Sequence, residues 1–233
     1  MTSGTRIGIL GGTFDPVHTG HVDTALAARR TLGLDHVLVM PSGTPPHRAM
    51  PPAASRFHRF AMTALAVTGV PELKVSDLEI GQDIPCYTFD TLARLHRTGL
   101  AASSIYFITG ADAFEEIETW SRYPLVLEMA NFVVVSRPGH PAAALPSKLP
   151  ALAARMSGSP TARVSTVVDV SGGPQVLLVD SPTRDVSSTE VRRRLASGAS
   201  IAGLVPAAVE TYIRQHGLYS SGDAGAGPGR SLA

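Results

Sequence analysis

Apolar positions along the chain follow two alternating rhythms. Short runs rich in β-branched residues recur at Ile7–Leu10, His36–Met40, Leu73–Leu78, Ile105–Thr109, Phe132–Ser136 and Val176–Asp180, the pattern of strands. Between them, His21–Leu32, Ser55–Thr68, Phe89–Thr98, Ala113–Trp120 and Pro124–Ala130 carry helical spacing. Strands alternating with helices predict βαβ units, hence an α/β fold with a doubly wound parallel sheet. Pro124 and Pro206 stand where first helical turns are expected, and Gly99 and Gly217 where left-handed caps are wanted.

The rhythm breaks in two places. From His140 to Gly173 the chain is rich in Pro, Ala, Ser and Gly, and Pro146 and Pro150 interrupt any long helix. A partly ordered excursion is expected there, followed by an extra edge segment near Val164–Val170. After Tyr219 the stretch Ser-Ser-Gly-Asp-Ala-Gly-Ala-Gly-Pro-Gly holds too little apolar surface to offset its ordering entropy. The expectation is one domain over residues 1–219 with a disordered tail over 220–233.

Composition narrows the function classes. With 233 residues and 44% hydrophobic content the chain can bury one sizeable core. A net charge of +1 argues against a nucleic-acid partner, which demands clustered Lys and Arg. The single cysteine, Cys86, cannot pair within the chain and reads as an inert thiol in a reducing compartment. No segment has the run of about 18 apolar residues of a membrane span, so a soluble, cytoplasmic protein is expected.

The densest chemistry follows the first strand, in Gly11-Gly12-Thr13-Phe14-Asp15-Pro16-Val17-His18-Thr19-Gly20-His21. Ligands of open parallel sheets bind at the carboxyl ends of strands. Two glycines allow a close backbone approach, Gly20 keeps the helix entrance clear, and a helix N-terminus offers free N–H groups to an anion. His18 and His21, three apart, can face one ligand. The lesser alternatives are two ligands of a metal, although no third lies nearby, and two unrelated histidines. Gly8, Gly11 and Gly12 do not fall at dinucleotide-fingerprint spacing.

A second strand, loop and helix start lies at Asp185-Val186-Ser187-Ser188-Thr189-Glu190-Val191-Arg192. Ser187 with Glu190 reads as a capping box. Ser188, Thr189 and Arg192 add hydroxyls and a guanidinium suited to phosphate oxygens, while Arg193 and Arg194 are expected to face solvent. The two helix starts can meet, on this reading, only if their strands are neighbours in the sheet.

Three middle segments are less specific. Pro45-Pro46-His47-Arg48 is a proline-rich loop after the second strand. Thr88 reads as the N-cap of a helix with Phe89, Leu92 and Leu95 in the core. Trp120, beyond Thr109-Gly110-Ala111-Asp112-Ala113-Phe114, is either core or a stacking partner for an electron-poor pyridine ring.

The string GGTFDPVHTGH resembles the signature of the H-x-G-H nucleotidyltransferase superfamily, and specifically its nicotinate mononucleotide adenylyltransferase branch. The later DVSSTEVR resembles that family's I-S-S-T-x-I-R, with valine at both aliphatic positions, and Pro45–Arg48 resembles its P-P-H-K loop with arginine for lysine. The likeness runs from Gly11 to Arg192. It implies a Rossmann-like nucleotidyltransferase fold. It also implies that Gly11, Gly12, Thr13, His18, His21, Ser188, Thr189 and Arg192 hold ATP, with His18, His21 and Arg192 stabilising the transition state. On the mononucleotide side it implies His47, Arg48, Thr88, Asp112, Trp120 and Arg137.

The implied reaction transfers AMP from ATP, with magnesium carried on the ATP phosphates, to nicotinate mononucleotide in NAD biosynthesis. No protein-held metal is expected, and a homo-oligomer is compatible with the reading. Because the attacking phosphate is already anionic, no general base or covalent nucleophile is required, which fits a sequence with no nucleophile dyad. Nicotinamide mononucleotide and phosphopantetheine are the competing acceptors within the superfamily, cytidylyl transfer a more distant one, and a non-catalytic nucleotide sensor the alternative outside it.

Overall fold

The computed structural model of the chain describes residues 5–46, 50–158 and 173–220. Seven strands pair in parallel throughout: β1 (Ile7–Gly12), β2 (His36–Pro41), β3 (Leu73–Val75), β4 (Ile105–Gly110), β5 (Asn131–Val135), β6 (Met156–Gly158) and β7 (Val176–Val179). Their spatial order is β3-β2-β1-β4-β5-β7-β6. From β1 the chain builds outward through β2 and β3, then returns to lay β4 on the other flank of β1. That reversal opens a crevice at the carboxyl ends of β1 and β4, where ligands of such sheets bind.

The helices are α1 (Thr19–Leu32), α2 (Arg56–Val67), α3 (Thr88–Arg97), α4 (Ala111–Phe114), α5 (Leu145–Lys148), α6 (Ser188–Ala196) and α7 (Ala207–Gln215). Side chains alternate across each strand, so β5 sends Val133 and Val135 to one face and Phe132 and Val134 to the other. The first face packs against Ala25 and Ala28 of α1, Met62 and Ala66 of α2, Val191 of α6 and Val209 and Ile213 of α7. The second packs against Leu92 and Leu95 of α3, Phe114 of α4 and Leu145 of α5. Both faces are covered, as a sheet of continuous apolar strands requires. No helix among the described residues is long and apolar enough to cross a membrane.

Several expectations are corrected. The helix expected over Ala113–Trp120 is a single turn, α4, followed by a 3-10 turn at Ile117–Thr119, and that expected over Pro124–Ala130 is a 3-10 turn at Leu125–Glu128. Trp120 is extended and Arg122 adopts φ 61°, so the chain reverses between the two turns instead of continuing one helix. The apolar Phe114, Ile117, Val126 and Leu127 are still buried; Phe114 and Ile117 keep the i, i+3 spacing that helical turns of either kind bring to one face. Pro124 and Pro206 precede their helical turns, at the capping position, rather than opening them. Gly99 and Gly217 have φ 93° and 61°, as their capping positions require.

In the excursion, Ala142, Leu145, Leu149 and Leu152 are buried under the second face. The chain there leads into β6, an edge strand with no apolar alternation to announce it. The edge segment expected at Val164–Val170 and the expected tail from 221 onward lie outside the described residues.

Candidate active site

The strand β1 ends in a turn held by its own side chains. Phe14 takes φ 49° and is buried, with its ring under Gly12, where a Cβ would stand 2.7 Å from it. The Asp15–Pro16 bond is cis, and the Asp15 carboxyl group is buried. It accepts the main-chain N–H of Ala53 at 2.8 Å and of Ala54 at 3.0 Å, tying the turn to the approach to α2. Arg59, only 1% exposed, donates to the carbonyls of Thr13 (2.7 Å), Gly43 (2.9 Å) and Ala54 (3.3 Å). One guanidinium therefore fixes the backbones that follow both β1 and β2.

His18 caps α1 in an extended conformation, and its ring stacks on that of His21 with centroids 3.5 Å apart. His21 Nδ1 accepts the His18 main-chain N–H at 3.2 Å, so a neutral His21 carries its proton on Nε2 and can donate from there. His18 Nδ1 is buried and has no partner among the described residues. Burial, reinforced by the nearby Arg137 and only partly opposed by Asp23, lowers His18 to about 3. Burial first, then His18 and Arg137, hold His21 well below the usual histidine range. In the free protein both rings are neutral at physiological pH.

The second motif reaches this turn directly. Ser188 Oγ donates to the Pro16 carbonyl at 2.9 Å, and Arg192 Nη1 donates to the Asp15 carbonyl at 2.6 Å. Its Nη2 approaches Thr189 Oγ1 at 3.3 Å. Arg184 forks onto Asp23 of α1 at 2.9 and 3.0 Å. The two helix starts thus share one end of the sheet, although β1 and β7 are separated by β4 and β5. The expectation that their strands must be neighbours is wrong. Three inter-strand steps amount to about 14 Å, whereas a loop as long as Asp180–Ser187 can reach up to about 26 Å.

The capping box is half formed. Ser187 Oγ accepts the Glu190 N–H at 3.1 Å, but the Glu190 carboxylate pairs with Arg193 at 2.8 Å and Arg194 at 2.7 Å instead of reaching back. Those two side chains are 66% and 41% exposed, and their hydrogen bonds, added to by their charge, hold Glu190 at about 2.

Beside the turn lies a cleft of about 370 Å³, within the size range of small-molecule sites. Gly11, Gly12 and Thr13 form one wall, Thr88 and Thr91 another, and Phe107, Thr109 and Trp120 a third. Trp120 meets Phe107 and Phe132 edge-on at 6.1 and 6.2 Å while keeping a surface in the cleft, so it is both core and lining. Thr88 is the first residue of α3 and not its cap, which is Tyr87; its side chain is thereby left to the cleft. Asp112 and Arg137 crowd Gly110 at the end of β4, where a Cβ would lie 2.7 Å from Arg137 Cδ. Arg137 also approaches the Val186 carbonyl at 3.4 Å. His47 and Arg48 lie outside the described residues; Pro45 and Pro46 line the cleft.

Sequence reasoning missed Ser42, Glu79, Cys86 and Thr91, which also line it. Glu79 is buried and accepts the Thr91 hydroxyl at 2.5 Å; burial raises its carboxyl group above the ordinary range. Its place just after β3 was the available signal, since carboxyl ends of strands face the crevice. Cys86 is not remote from the site, though burial pushes its thiol up, away from the reactive thiolate form.

The sheet gathers two helix starts, paired histidines and a guanidinium at one end, and the chain is a nucleotidyltransferase: the family model described as Cytidylyltransferase-like matches residues 9–194. Curated relatives narrow the class. A probable nicotinate-nucleotide adenylyltransferase of Roseiflexus sp. (strain RS-1) is 42% identical over 93% of this chain and 99% of its own. Another, from Pseudomonas syringae pv. tomato (strain ATCC BAA-871 / DC3000), is 41% identical over 92% and 93%. In fold the chain resembles the Plasmodium falciparum nicotinic acid mononucleotide adenylyltransferase solved with NaAD, with a TM-score of 0.69 at 18% identity over 92% of this chain and 97% of that one. The chain belongs to the nicotinate-nucleotide adenylyltransferase family.

Proposed function

We propose that the protein transfers AMP from ATP to nicotinate mononucleotide, forming nicotinate adenine dinucleotide and releasing pyrophosphate, in NAD biosynthesis. The observation that carries the reading is the direct bonding of Ser188 and Arg192 to the backbone of Pro16 and Asp15. It joins both helix starts at one end of the sheet, beside a cleft in the size range of small-molecule sites, in a chain whose relatives bear this activity in their names.

In this reaction an oxygen of the acceptor phosphate attacks the α-phosphorus, the bond from that phosphorus to the bridging oxygen breaks, and pyrophosphate leaves with the electron pair. The protein aligns two anions and offsets the charge that moves onto the leaving group. The Gly11–Thr13 backbone lies against the nucleotide. His21 donates from Nε2, His18 offers its ring at the mouth of α1, and Ser188, Thr189 and Arg192 grip the phosphates from α6. Thr88 and Trp120 face the pyridine ring, while Asp112, Arg137, His47 and Arg48 contact the ribose and phosphate of the acceptor.

The donors around the two helix starts, His18, His21, Ser188, Thr189 and Arg192, are cationic or neutral. These residues suit a magnesium ion that arrives on the triphosphate's own oxygens. There it would supply charge neutralisation to the phosphates.

A pyrophosphate-release assay with ATP and magnesium tests the reading across nicotinate mononucleotide, nicotinamide mononucleotide and phosphopantetheine. Turnover highest on the nicotinate compound supports it. Preference for either of the others reassigns the acceptor, and ATP binding without release on any of them leaves only a nucleotide sensor.

A further inference from the structure

The chain turns out of α7 into Leu218 and Tyr219, and both side chains are buried in the core cluster that also contains Phe14 and Val17. The Tyr219 hydroxyl donates to Asp15 Oδ1 at 2.8 Å, joining residues 204 positions apart. Burial pushes this phenol above its ordinary range, so it remains a donor at any working pH. Asp15 thus gathers the last helical turn, the approach to α2 through Ala53 and Ala54, and α6 through the Arg192 bond to its carbonyl.

Backbone conformation marks the same spot. Only three described residues other than glycine have positive φ, and two of them are Phe14 at 49° and Tyr219 at 64°. One is the neighbour of Asp15 and the other is its hydrogen-bond donor. Side-chain-bearing residues hold that conformation only where their surroundings over-determine it. Phe14 in turn sets its ring edge-on to His21, with centroids 4.8 Å apart. A continuous line of contact therefore runs from Tyr219 through Asp15 and Phe14 to an imidazole of the phosphate site.

We propose that Tyr219 is a positioning residue for the nucleotidyl transfer: acting through Asp15, its hydroxyl holds the Phe14–His18 turn in the shape that presents both imidazoles to the triphosphate. The inference rests on the function proposed above, but two of its readouts, the histidine resonances and analogue binding, need no acceptor.

Tyr219→Phe deletes one oxygen and keeps the ring in its pocket, and Asp15→Asn disturbs the other end of the bond. Each is compared with the unaltered protein and with the double variant at a temperature where all are folded. The readouts are the ring resonances of 13C-labelled His18 and His21 without ligand, binding of the ATP analogue α,β-methylene-ATP, and kcat on the best acceptor. A hydrogen bond to a charged or polar buried partner predicts that Tyr219→Phe shifts the His21 resonances, weakens analogue binding about tenfold and lowers kcat by about the same factor. Acceptor KM is expected to stay within about twofold, and the double variant to be no worse than Asp15→Asn, as two ends of one interaction require. Unchanged histidine resonances and analogue binding in Tyr219→Phe, with only the melting temperature lowered, would overturn the proposal and leave Tyr219 a packing residue. If that variant does not fold, the same pair of outcomes is read from Asp15→Asn. An acceptor panel that fails while analogue binding responds as expected touches the reaction assignment, not this inference.

Discussion

Arg192 Nη1 lies 2.6 Å from the main-chain oxygen of Asp15, so a guanidinium from the sixth helix is bonded to the turn after the first strand. The same group turns its other nitrogen toward Thr189 Oγ1 at 3.3 Å. Two acceptors reached by separate nitrogens of one fork suit a guanidinium better than an ammonium. Arg192→Ala is expected to lower kcat by on the order of 10²–10³. Arg192→Lys should recover no more than about tenfold of that loss. Steady-state kinetics on the folded variants decides the point, and near-full activity of the lysine variant would refute the need for a fork.

The buried histidine makes stability depend on acid. His18 is lowered to about 3 when folded, against an ordinary value of 6.5. Between those values the unfolded chain binds the proton and the folded one does not, so stability is complete above pH 6.5 and drains away as pH falls toward 3. The slope contributed is about 1.4 kcal/mol per pH unit at most. Urea unfolding of the ligand-free protein at pH 7.5 and pH 5 should therefore show a larger loss for the native chain than for His18→Asn. Equal losses would mean that the folded ring takes up its proton freely.

Arg59 has a structural task that no single neighbour could replace, because its guanidinium serves the carbonyls of Thr13, Gly43 and Ala54 at once. Arg59→Met leaves these buried oxygens short of a donor and should cost about 3–5 kcal/mol. Arg59→Lys, with one compact ammonium, should restore less than half. Denaturant midpoints with unchanged slopes give the measurement.

These residues show where sequence reading stops. β1, β2, β4, β5 and β7 were legible because their apolar runs are continuous, and the two motifs because glycine, histidine, serine and arginine cluster at strand ends. Glu79, Arg59 and Tyr219 were not, since what each one does depends on partners brought to it by topology. Tyr219 meets Asp15 over 204 positions and Arg59 meets Thr13 over 46; neither separation has a local signature. The mistaken demand that β1 and β7 be neighbours came from counting strands while ignoring the reach of the Asp180–Ser187 loop. The broken helices after α4 were missed because i, i+3 burial is common to α and 3-10 turns.

Two glycines in the loops around the cleft should behave oppositely. A Cβ on Gly43 would overlap the main-chain oxygen of Glu79, whereas one on Gly81 meets nothing within 4 Å. Gly43→Ala must therefore move a cleft wall, at an expected cost of about 1–3 kcal/mol and with a raised acceptor KM. Gly81→Ala should be neutral or add up to about 1 kcal/mol by restricting the unfolded chain. Thermal melts together with acceptor titrations separate the two, and a silent Gly43→Ala would mean that the wall yields freely.

The bonds from residues 15 and 16 to residues 188 and 192 also order events in time. On the ribosome, the early turn waits while roughly four-fifths of the chain is made, and β4 and β5 must dock before the later loop can cross over them. Such distant pairings form late in folding, because loop closure must be met before they contribute. A partly synthesised or partly folded chain would therefore lack the bonds that α6 makes to this turn, and the assembled cleft edge arrives only with completion of the tertiary structure.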